Sequence, residues 1–286
     1  MLPLSTADWI GLDNFKDVLF AKSSIFSDSA HAGLSFFGKL KLFFSENDLY
    51  ASFGKSFKFA IIVIPFQLII SVLLAIGLDQ SLKPDRIFKF VYFSPLVTSV
   101  VSVALIWAVL FLGAKYGWIN ALLLNLGLIR DPIDFLHNSR SFLNAVITMS
   151  IWQGLAFVIL IYLAGLQNIP TEHYEAASID GANILQKFWN ITIPALRPQI
   201  LFLTVTGTIG ALQVFEQIYI LGGGAGEAGT KFGPSDSGMT MVCYIYRKGF
   251  EEFRMGQASA IAYVLFAIIF VLTYINWKWL LGRQQD

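Results

Sequence analysis

Five apolar stretches along the chain are each long enough to cross a bilayer as a helix, for which about 20 residues are needed. They cover residues 57–78, 90–113, 142–166, 200–221 and 258–281. Because backbone groups in lipid need hydrogen-bond partners within their own segment, each stretch is expected to be helical. The pattern therefore predicts an all-α fold, a polytopic membrane helix bundle with about five transmembrane helices.

The polar segments between these stretches suggest an orientation. Basic residues crowd the short 79–89 loop, which favours a cytoplasmic position for it. The alternation of helices then places the 167–199 loop and the C-terminus inside, and the 222–257 loop outside. Within that outer loop, residues 239–253 are expected to form a short helix at the membrane surface.

Composition agrees with a membrane protein. Of the 286 residues, 56% are hydrophobic and 14% are charged, whereas soluble domains carry about a quarter charged residues. The net charge of +1 gives no indication of a nucleic-acid partner. A single cysteine, Cys243, excludes an internal disulfide, and the three dispersed histidines indicate no metal site.

The polar loop between the third and fourth stretches is predicted to contain two helices. Thr171 is a suitable N-cap for a helix that runs to Asp180, and Gly181 can adopt the left-handed conformation that ends it. A second helix is predicted over residues 182–190, and Pro194 is expected to stop it.

The first of these helices has a face suited to close contact. Ala176 and Ala177 keep that part of the helix thin, and Glu175 offers a charge to a partner. From these residues alone, two interpretations are open. The segment is either a docking element for another protein or an amphipathic helix that rests on the membrane surface.

Spacing in this loop is similar to a known signature. Glu175-Ala176-Ala177, then Gly181, then Ile191-Thr192-Ile193-Pro194 resembles the signature loop of binding-protein-dependent ABC importer permeases. Further motifs match in the same order: Gly11-Leu12-Asp13-Asn14-Phe15, Phe93-Ser94-Pro95, Tyr219-Ile220-Leu221 and Gly256-Gln257-Ala258-Ser259-Ala260. Together they resemble the carbohydrate-uptake type, on the branch of the first permease of maltose-type and glycerol-3-phosphate-type systems.

The chain departs from this family in two ways. The family usually has leucine where Ile193 stands. It also usually has six transmembrane helices, the first of which precedes the Gly11 motif, whereas five are predicted here.

The resemblance implies a permease subunit of an ATP-driven importer for a sugar or related carbohydrate. The cytoplasmic helix-turn-helix coupling loop would dock on a separate ATP-binding subunit dimer, which uses ATP and Mg. This chain would bind no cofactor and would not be an enzyme. Its partners would be a second permease subunit, an extracytoplasmic solute-binding protein and the lipid of a bacterial or archaeal cytoplasmic (inner) membrane.

The resemblance also assigns residues and domains. The residues that would couple to the ATPase are Glu175, Ala176, Ala177, Asp180, Gly181, Ile191 and Pro194. The domains would be an extracytoplasmic or interfacial segment 1–56, a transmembrane permease domain 57–281 and a cytoplasmic tail 282–286.

Polar residues in the fourth stretch suggest a substrate path. An ionisable residue inside a span costs about 3 kcal/mol, so Glu216 indicates a function. Gln213 lies one turn before it and Tyr219 one turn after, and Phe215 could stack on a sugar ring. The alternative is helix–helix hydrogen bonding to the second permease. Trp152, in the third stretch, is a weaker candidate for which packing is favoured.

The sequence supports two alternative functions less well. A self-sufficient channel or secondary transporter often shows internal repeats and midplane charges, but Glu216 is the one clear candidate charge and no convincing repeat is visible. A membrane-embedded enzyme would need paired acids or histidines near the spans, and His137 and His173 both fall in loops. The sequence leaves the transported solute open.

Overall fold

The computed structural model describes residues 10–21, 35, 37–38, 47–80, 94–113, 117–223 and 231–281, and the regular structure in these ranges is helical. The predicted tail 282–286, most of the 79–89 loop and most of residues 1–46 lie outside the described residues.

The main helices of the described chain follow one another in this order. They are α1 Asp13–Leu19, α2 Asp48–Gln80, α3 Val100–Leu110, α4 Trp118–Asn125, α5 Phe142–Leu166, α6 Thr171–Ile179, α7 Ile184–Lys187, α8 Arg197–Leu212, α9 Glu216–Leu221, α10 Met241–Tyr246 and α11 Met255–Leu281. Two π-helical turns, Phe188–Thr192 and Arg247–Glu251, extend α7 and α10.

Three of these helices are long and apolar enough to cross a membrane: α2, α5 and α11, with 33, 25 and 27 residues. The segment from α7 to Ala195 and helix α8 form a fourth span if they are taken together, with a bend of 65° between them. Helix α3 is apolar but has only 11 residues. The prediction of an all-α membrane bundle is confirmed. The described residues contain three spans, or four if the bent pair counts as one, where about five were predicted.

The first span begins earlier than its apolar stretch predicts. Helix α2 starts at Asp48, whereas the sequence indicated residue 57. Its added turns carry Ser52 and Ser56, which are 1% and 0% exposed. Ser56 Oγ accepts a hydrogen bond of 2.9 Å from the Met241 backbone N–H. Polar residues here face the bundle interior, so they do not mark the end of the helix.

The second predicted span, in contrast, is interrupted in the structure, and residues 94–97 form a separate helical turn. A break at Ser99, with ψ of 138°, precedes α3, and residues 90–93 lie outside the described part. Helix α4 follows and was not predicted. Asn120 holds it in place, because its buried amide pairs with the carbonyls of Leu112 and Ile133 and with the Ile133 N–H, each at 2.9 Å.

The core lies between the long helices. Helix α2 packs along α5, and α8 packs against α2 and α11. Helix α9, although it continues the fourth apolar stretch, packs instead against α3 and α5. The two halves of that stretch therefore belong to different parts of the bundle.

Two sequence motifs meet in a packing contact. Helix α1 lies against the start of α11, and a Cβ atom on Gly256 would lie only 2.5 Å from Asn14 Nδ2. The glycine is needed for this close approach, so both motifs serve the bundle.

The prediction of a surface helix over residues 239–253 is wrong. Helix α10 packs between α2 and α11, and Met241 and Cys243 are fully buried. Its sequence, Met-Val-Cys-Tyr-Ile-Tyr, is apolar on every side. A helix without a polar face is expected in a protein interior rather than at an interface.

Candidate functional site

The polar loop forms the two helices that the sequence predicts, with different boundaries. Pro170, not Thr171, is the residue before α6, and no side chain caps that end. Gly181 has φ of 75°, which confirms the left-handed turn between the helices. Helix α7 starts with a capping box. The Gln186 backbone N–H donates to the Asn183 side chain, and the Asn183 backbone N–H donates to the Gln186 side chain. The Asn183-x-x-Gln186 spacing could have located this start.

Pro194 does not stop the second helix. It lies in the first turn of the segment Ile193–Ala195, where a missing N–H costs little. The chain then bends by 65° into α8. The polar loop is thus joined to the fourth span almost without a break, and a displacement of the loop would act directly on α8.

The outer side of the loop is open. No residue of α6 is buried, and Glu175, Ala176 and Asp180 are exposed. Four large apolar side chains are exposed in the same loop: Ile179 by 87%, Ile184 by 84%, Leu185 by 64% and Trp189 by 59%. A surface of this composition is typical of a segment that another protein or the membrane surface covers.

Helix α6 borders an open cavity of about 530 Å³. Ala176, Ala177, Asp180 and Ile191 all line it, so four of the predicted coupling residues share one groove. The other lining residues are Gly165, Asn168, Ile169, Pro170, His173, Asn190, Ala195 and Gln199. Glu175, Gly181 and Pro194 do not line this cavity.

Side-chain contacts make the two loop helices one unit. The hydroxyls of Tyr174 and Thr192 lie 2.9 Å apart, and Lys187 Nζ donates to Ser178 Oγ at 2.7 Å. At the bundle end, a Cβ atom on Gly165 would lie 2.7 Å from Leu196 Cδ2. Helix α5 is therefore pressed closely against the start of α8.

A second cavity, of about 490 Å³, opens between helices of the bundle. Its walls come from α2, α3, α5, α8, α9 and the segment that joins α8 to α9. The lining residues are Phe59, Val63, Gln67, Val100, Ser150, Gln153, Gly154, Gly207, Gly210, Ala211, Gln213, Val214, Phe215, Glu216 and Gln217. We call this space the bundle cavity.

The structure brings three predicted path residues into the bundle cavity, namely Gln213, Phe215 and Glu216. Two others lie elsewhere. Tyr219 stacks on the far side of Phe215, with 5.4 Å between the ring centroids, and Trp152 packs against Trp107 at 5.7 Å.

The fourth apolar stretch is not one helix, which corrects the single helical face predicted for Gln213, Glu216 and Tyr219. Helix α8 ends at Leu212, and α9 begins at Glu216. Tertiary contacts fix the break between them. The buried Thr240 hydroxyl donates to the Val214 carbonyl at 3.0 Å, and so satisfies a backbone group in the interior.

Sequence analysis missed Gln67 and Ser150 as cavity residues. Gln67 is a lone polar side chain between Pro65 and Ser71 of the apolar helix α2. Polar residues inside a span are costly and are often functional, so this position carried a usable signal. Ser150 gives no such signal, because serine is common at helix contacts in membranes.

Residues 231–240, here called the outer strap, close the end of the bundle beside the break. Lys55 Nζ donates to the Asp236 carbonyl at 2.7 Å, and the Asp236 carboxylate pairs with Arg247. Lys231 donates to Glu251 at 3.1 Å, and this hydrogen bond, with the attraction between the two charges, raises the pKa of Lys231. The strap thereby ties α2 to the π-helical turn after α10.

Comparisons with known proteins agree with this architecture. The sequence profile of the family described as "Binding-protein-dependent transport system inner membrane component" matches residues 48–283. A probable ABC transporter permease protein of Bacillus subtilis, YesP, is 34% identical over 94% of this chain and 77% of its own length. The arabinooligosaccharides transport system permease protein AraP of the same organism is 35% identical over 76% of this chain and 66% of its own length.

The fold is also found among solved structures. One of them is a bacterial alginate ABC transporter in complex with an alginate pentasaccharide-bound periplasmic protein. The matching chain superposes with a TM-score of 0.68 at 23% identity, over 90% of this chain and 85% of that chain. The family profile covers most of this chain, and the helices that it spans carry both the polar loop and the bundle cavity. The protein belongs to the family of inner membrane components of binding-protein-dependent transport systems.

Proposed function

We propose that the chain is the transmembrane permease subunit of an ATP-driven ABC importer for a sugar or related carbohydrate, and that it forms half of the translocation path. One observation carries this proposal. The exposed loop around Glu175-Ala176-Ala177 is joined through α7 to α8, and α8 lines the bundle cavity. A docking surface and a polar cavity are thus connected by one segment.

The coupling step is a mechanical one. A separate ATPase subunit would bind the open side of α6, with Glu175 as its polar contact. Closure of an ATPase dimer would displace α6 and α7 together, because Tyr174 and Lys187 hold them as one unit. Helix α8 would tilt with them and change access to the bundle cavity.

Hydrolysis is assigned to the partner, which would use ATP and Mg. A permease subunit has no need of a catalytic site of its own. This chain would bind no cofactor.

The chemistry of the cavity suits a carbohydrate. The amides of Gln67, Gln153 and Gln213 and the carboxylate of Glu216 can pair with sugar hydroxyls, while Phe215 offers a ring face for stacking. Related proteins are named for sugar substrates, as AraP is for arabinooligosaccharides. The proposal names only the class of solute, a carbohydrate, and leaves the individual sugar open.

Other partners follow from the same proposal. The family depends on a binding protein, which would deliver the solute at the outer end of the bundle, near the outer strap. A second permease subunit would supply the other half of the path. The assembly would lie in a bacterial or archaeal cytoplasmic (inner) membrane, with the 167–199 loop inside and the 222–257 loop outside.

Replacement of Glu216 tests the substrate path. In the Glu216→Gln variant, the half-saturating solute concentration for uptake should rise about fivefold, because a hydrogen bond to a carboxylate is worth about 1 kcal/mol more than one to a neutral amide oxygen. Association with the ATPase should be unchanged. Uptake into membrane vesicles and co-purification of the ATPase are the two measurements.

Asp131→Asn is the matched control for this experiment. Asp131 is an exposed carboxylate on the loop before α5, outside the bundle cavity, and its change should leave uptake unaltered. If Glu216→Gln has normal uptake, Glu216 is not a substrate contact. Loss of ATPase association in that variant would mean instead that Glu216 has a structural role.

A further inference from the structure

Gln67 makes a specific contact across the bundle cavity. Among the described residues of α2 that line this cavity, it is the polar one, beside Phe59 and Val63. Its side-chain Nε2 donates to the backbone carbonyl of Ser150 on α5 at 2.8 Å. That carbonyl can only accept, so the amide nitrogen, and not the amide oxygen, must face α5.

Gly154 makes this contact possible. A Cβ atom at position 154 would lie 2.0 Å from Gln67 Nε2 and 2.7 Å from its Cδ, far inside van der Waals contact. The backbone of α5 is therefore open at this point and receives the end of the Gln67 side chain. An alanine here would displace the amide from the Ser150 carbonyl.

Because the Gln67 amide nitrogen is bound to Ser150, the amide oxygen is the group that remains to bind a ligand. With Nε2 committed to Ser150, Oε1 has no hydrogen-bond donor within the described residues. The Ser150 hydroxyl, on the residue whose carbonyl binds Gln67, is buried and without a partner in that part of the chain, and the whole residue is only 7% exposed. A buried hydroxyl that lines a cavity without a partner is costly unless a ligand or water satisfies it.

Charges around the cavity restrict the ligand. The ionisable group among its described lining residues is Glu216, an acid, and no lysine or arginine is in that lining. On this chain's side of the path, a ligand carboxylate would face the Glu216 carboxylate and the Gln67 carbonyl oxygen, with no cation in the described lining to pair with. A saccharide hydroxyl, in contrast, can donate to either oxygen.

We propose that Gln67 is a substrate-binding residue, whose amide is held by Ser150 and Gly154 so that Oε1 accepts a hydrogen bond from a saccharide hydroxyl. The site thereby selects uncharged saccharides over uronic acids. This inference rests on the proposed function, because it assumes that the bundle cavity is the solute path.

The experiment uses the complete importer in proteoliposomes, with its second permease, ATPase and binding protein. The probes are arabinotriose and maltotriose as uncharged saccharides and trigalacturonate as an acidic one. Gln67→Leu removes the acceptor, and Gly154→Ala displaces Gln67 without removing it. Both should raise the half-saturating concentration of the transported uncharged saccharide about tenfold and leave the maximal rate within about twofold.

Gly77→Ala is the matched control. Gly77 lies on α2, as Gln67 does, but it is not among the lining residues of the bundle cavity, and no atom lies within 4 Å of an added Cβ. Its half-saturating concentration should equal that of the wild type. Because leucine is well tolerated in a span, Gln67→Leu is expected to assemble even if Gly154→Ala disturbs the α2–α5 contact.

Separate outcomes distinguish the two proposals. Wild-type half-saturation in Gln67→Leu, or a lowered maximal rate with unchanged half-saturation, would overturn the binding role of Gln67 and leave the importer function intact. Uptake of trigalacturonate as fast as that of the uncharged probes would overturn the selectivity. A wild-type complex that moves none of the three saccharides would contradict the carbohydrate function, and the inference would fall with it.

Discussion

Glu175→Lys is expected to abolish ATP-driven uptake while the chain still inserts and assembles in the membrane. Glu175 is exposed on α6, and its carboxylate has no ion pair or hydrogen bond within the described residues, so the fold does not depend on it. A reversed charge at a docking contact both removes a charge-assisted bond and adds repulsion. Because each lost charged bond costs about 1.5–3 kcal/mol, binding of the ATPase should weaken by more than about tenfold.

Two further variants make this result specific. Glu175→Gln keeps the shape and removes the charge, and should give an intermediate loss of uptake. Asp131→Lys applies the same charge reversal outside the loop, and should transport normally. Uptake by Glu175→Lys at the wild-type rate would show that the α6 surface does not couple transport to the ATPase.

Gly233→Ala is expected to destabilise the outer strap and with it the bundle. Gly233 has φ of 80°, and an added Cβ would lie 2.4 Å from Cδ1 of Phe142, a fully buried ring. Backbone strain in the left-handed region and overpacking together should cost about 3 kcal/mol. The measurement is the unfolding midpoint of the purified protein in detergent, which should fall by several degrees.

Gly127→Ala separates the two causes. Gly127 has a similar φ of 68°, but no atom lies within 4 Å of an added Cβ. The free energy of unfolding of the Gly127→Ala variant should fall only by the cost of backbone strain, about 1 kcal/mol. Equal midpoints for the two variants would contradict close packing of the strap on Phe142.

The sequence predicted the parts of the fold that depend on local composition. Apolar stretches located α2, α5 and α11, and Gly181 marked the turn of the polar loop. These predictions succeed because span length and a positive φ are properties of a few neighbouring residues.

The break in the fourth span could not be predicted in the same way. Residues 213–215 contain neither glycine nor proline, and the apolar pattern continues through them. The break is fixed by Thr240, a residue far along the chain, and by the aromatic packing of Phe215 against Tyr219 and Tyr246. Only the tertiary structure shows that Glu216 begins a new helix beside the bundle cavity.

The position of helix α10 could not be predicted from its local sequence either. A surface helix was predicted over residues 239–253, but tertiary packing buries α10 between α2 and α11. Gln67 also needed the structure, because its role depends on Gly154, which lies on another helix and whose missing side chain admits the amide.

Mass spectrometry of the proteins that co-purify with this chain from native membranes in mild detergent tests the central claim most directly. We expect a second permease and an ATP-binding subunit in stoichiometric amounts. In the Glu175→Lys sample, only the ATP-binding subunit should be lost. A chain that purifies by itself or as a homo-oligomer, yet moves a solute in liposomes, would contradict the account and indicate a self-sufficient channel or secondary transporter.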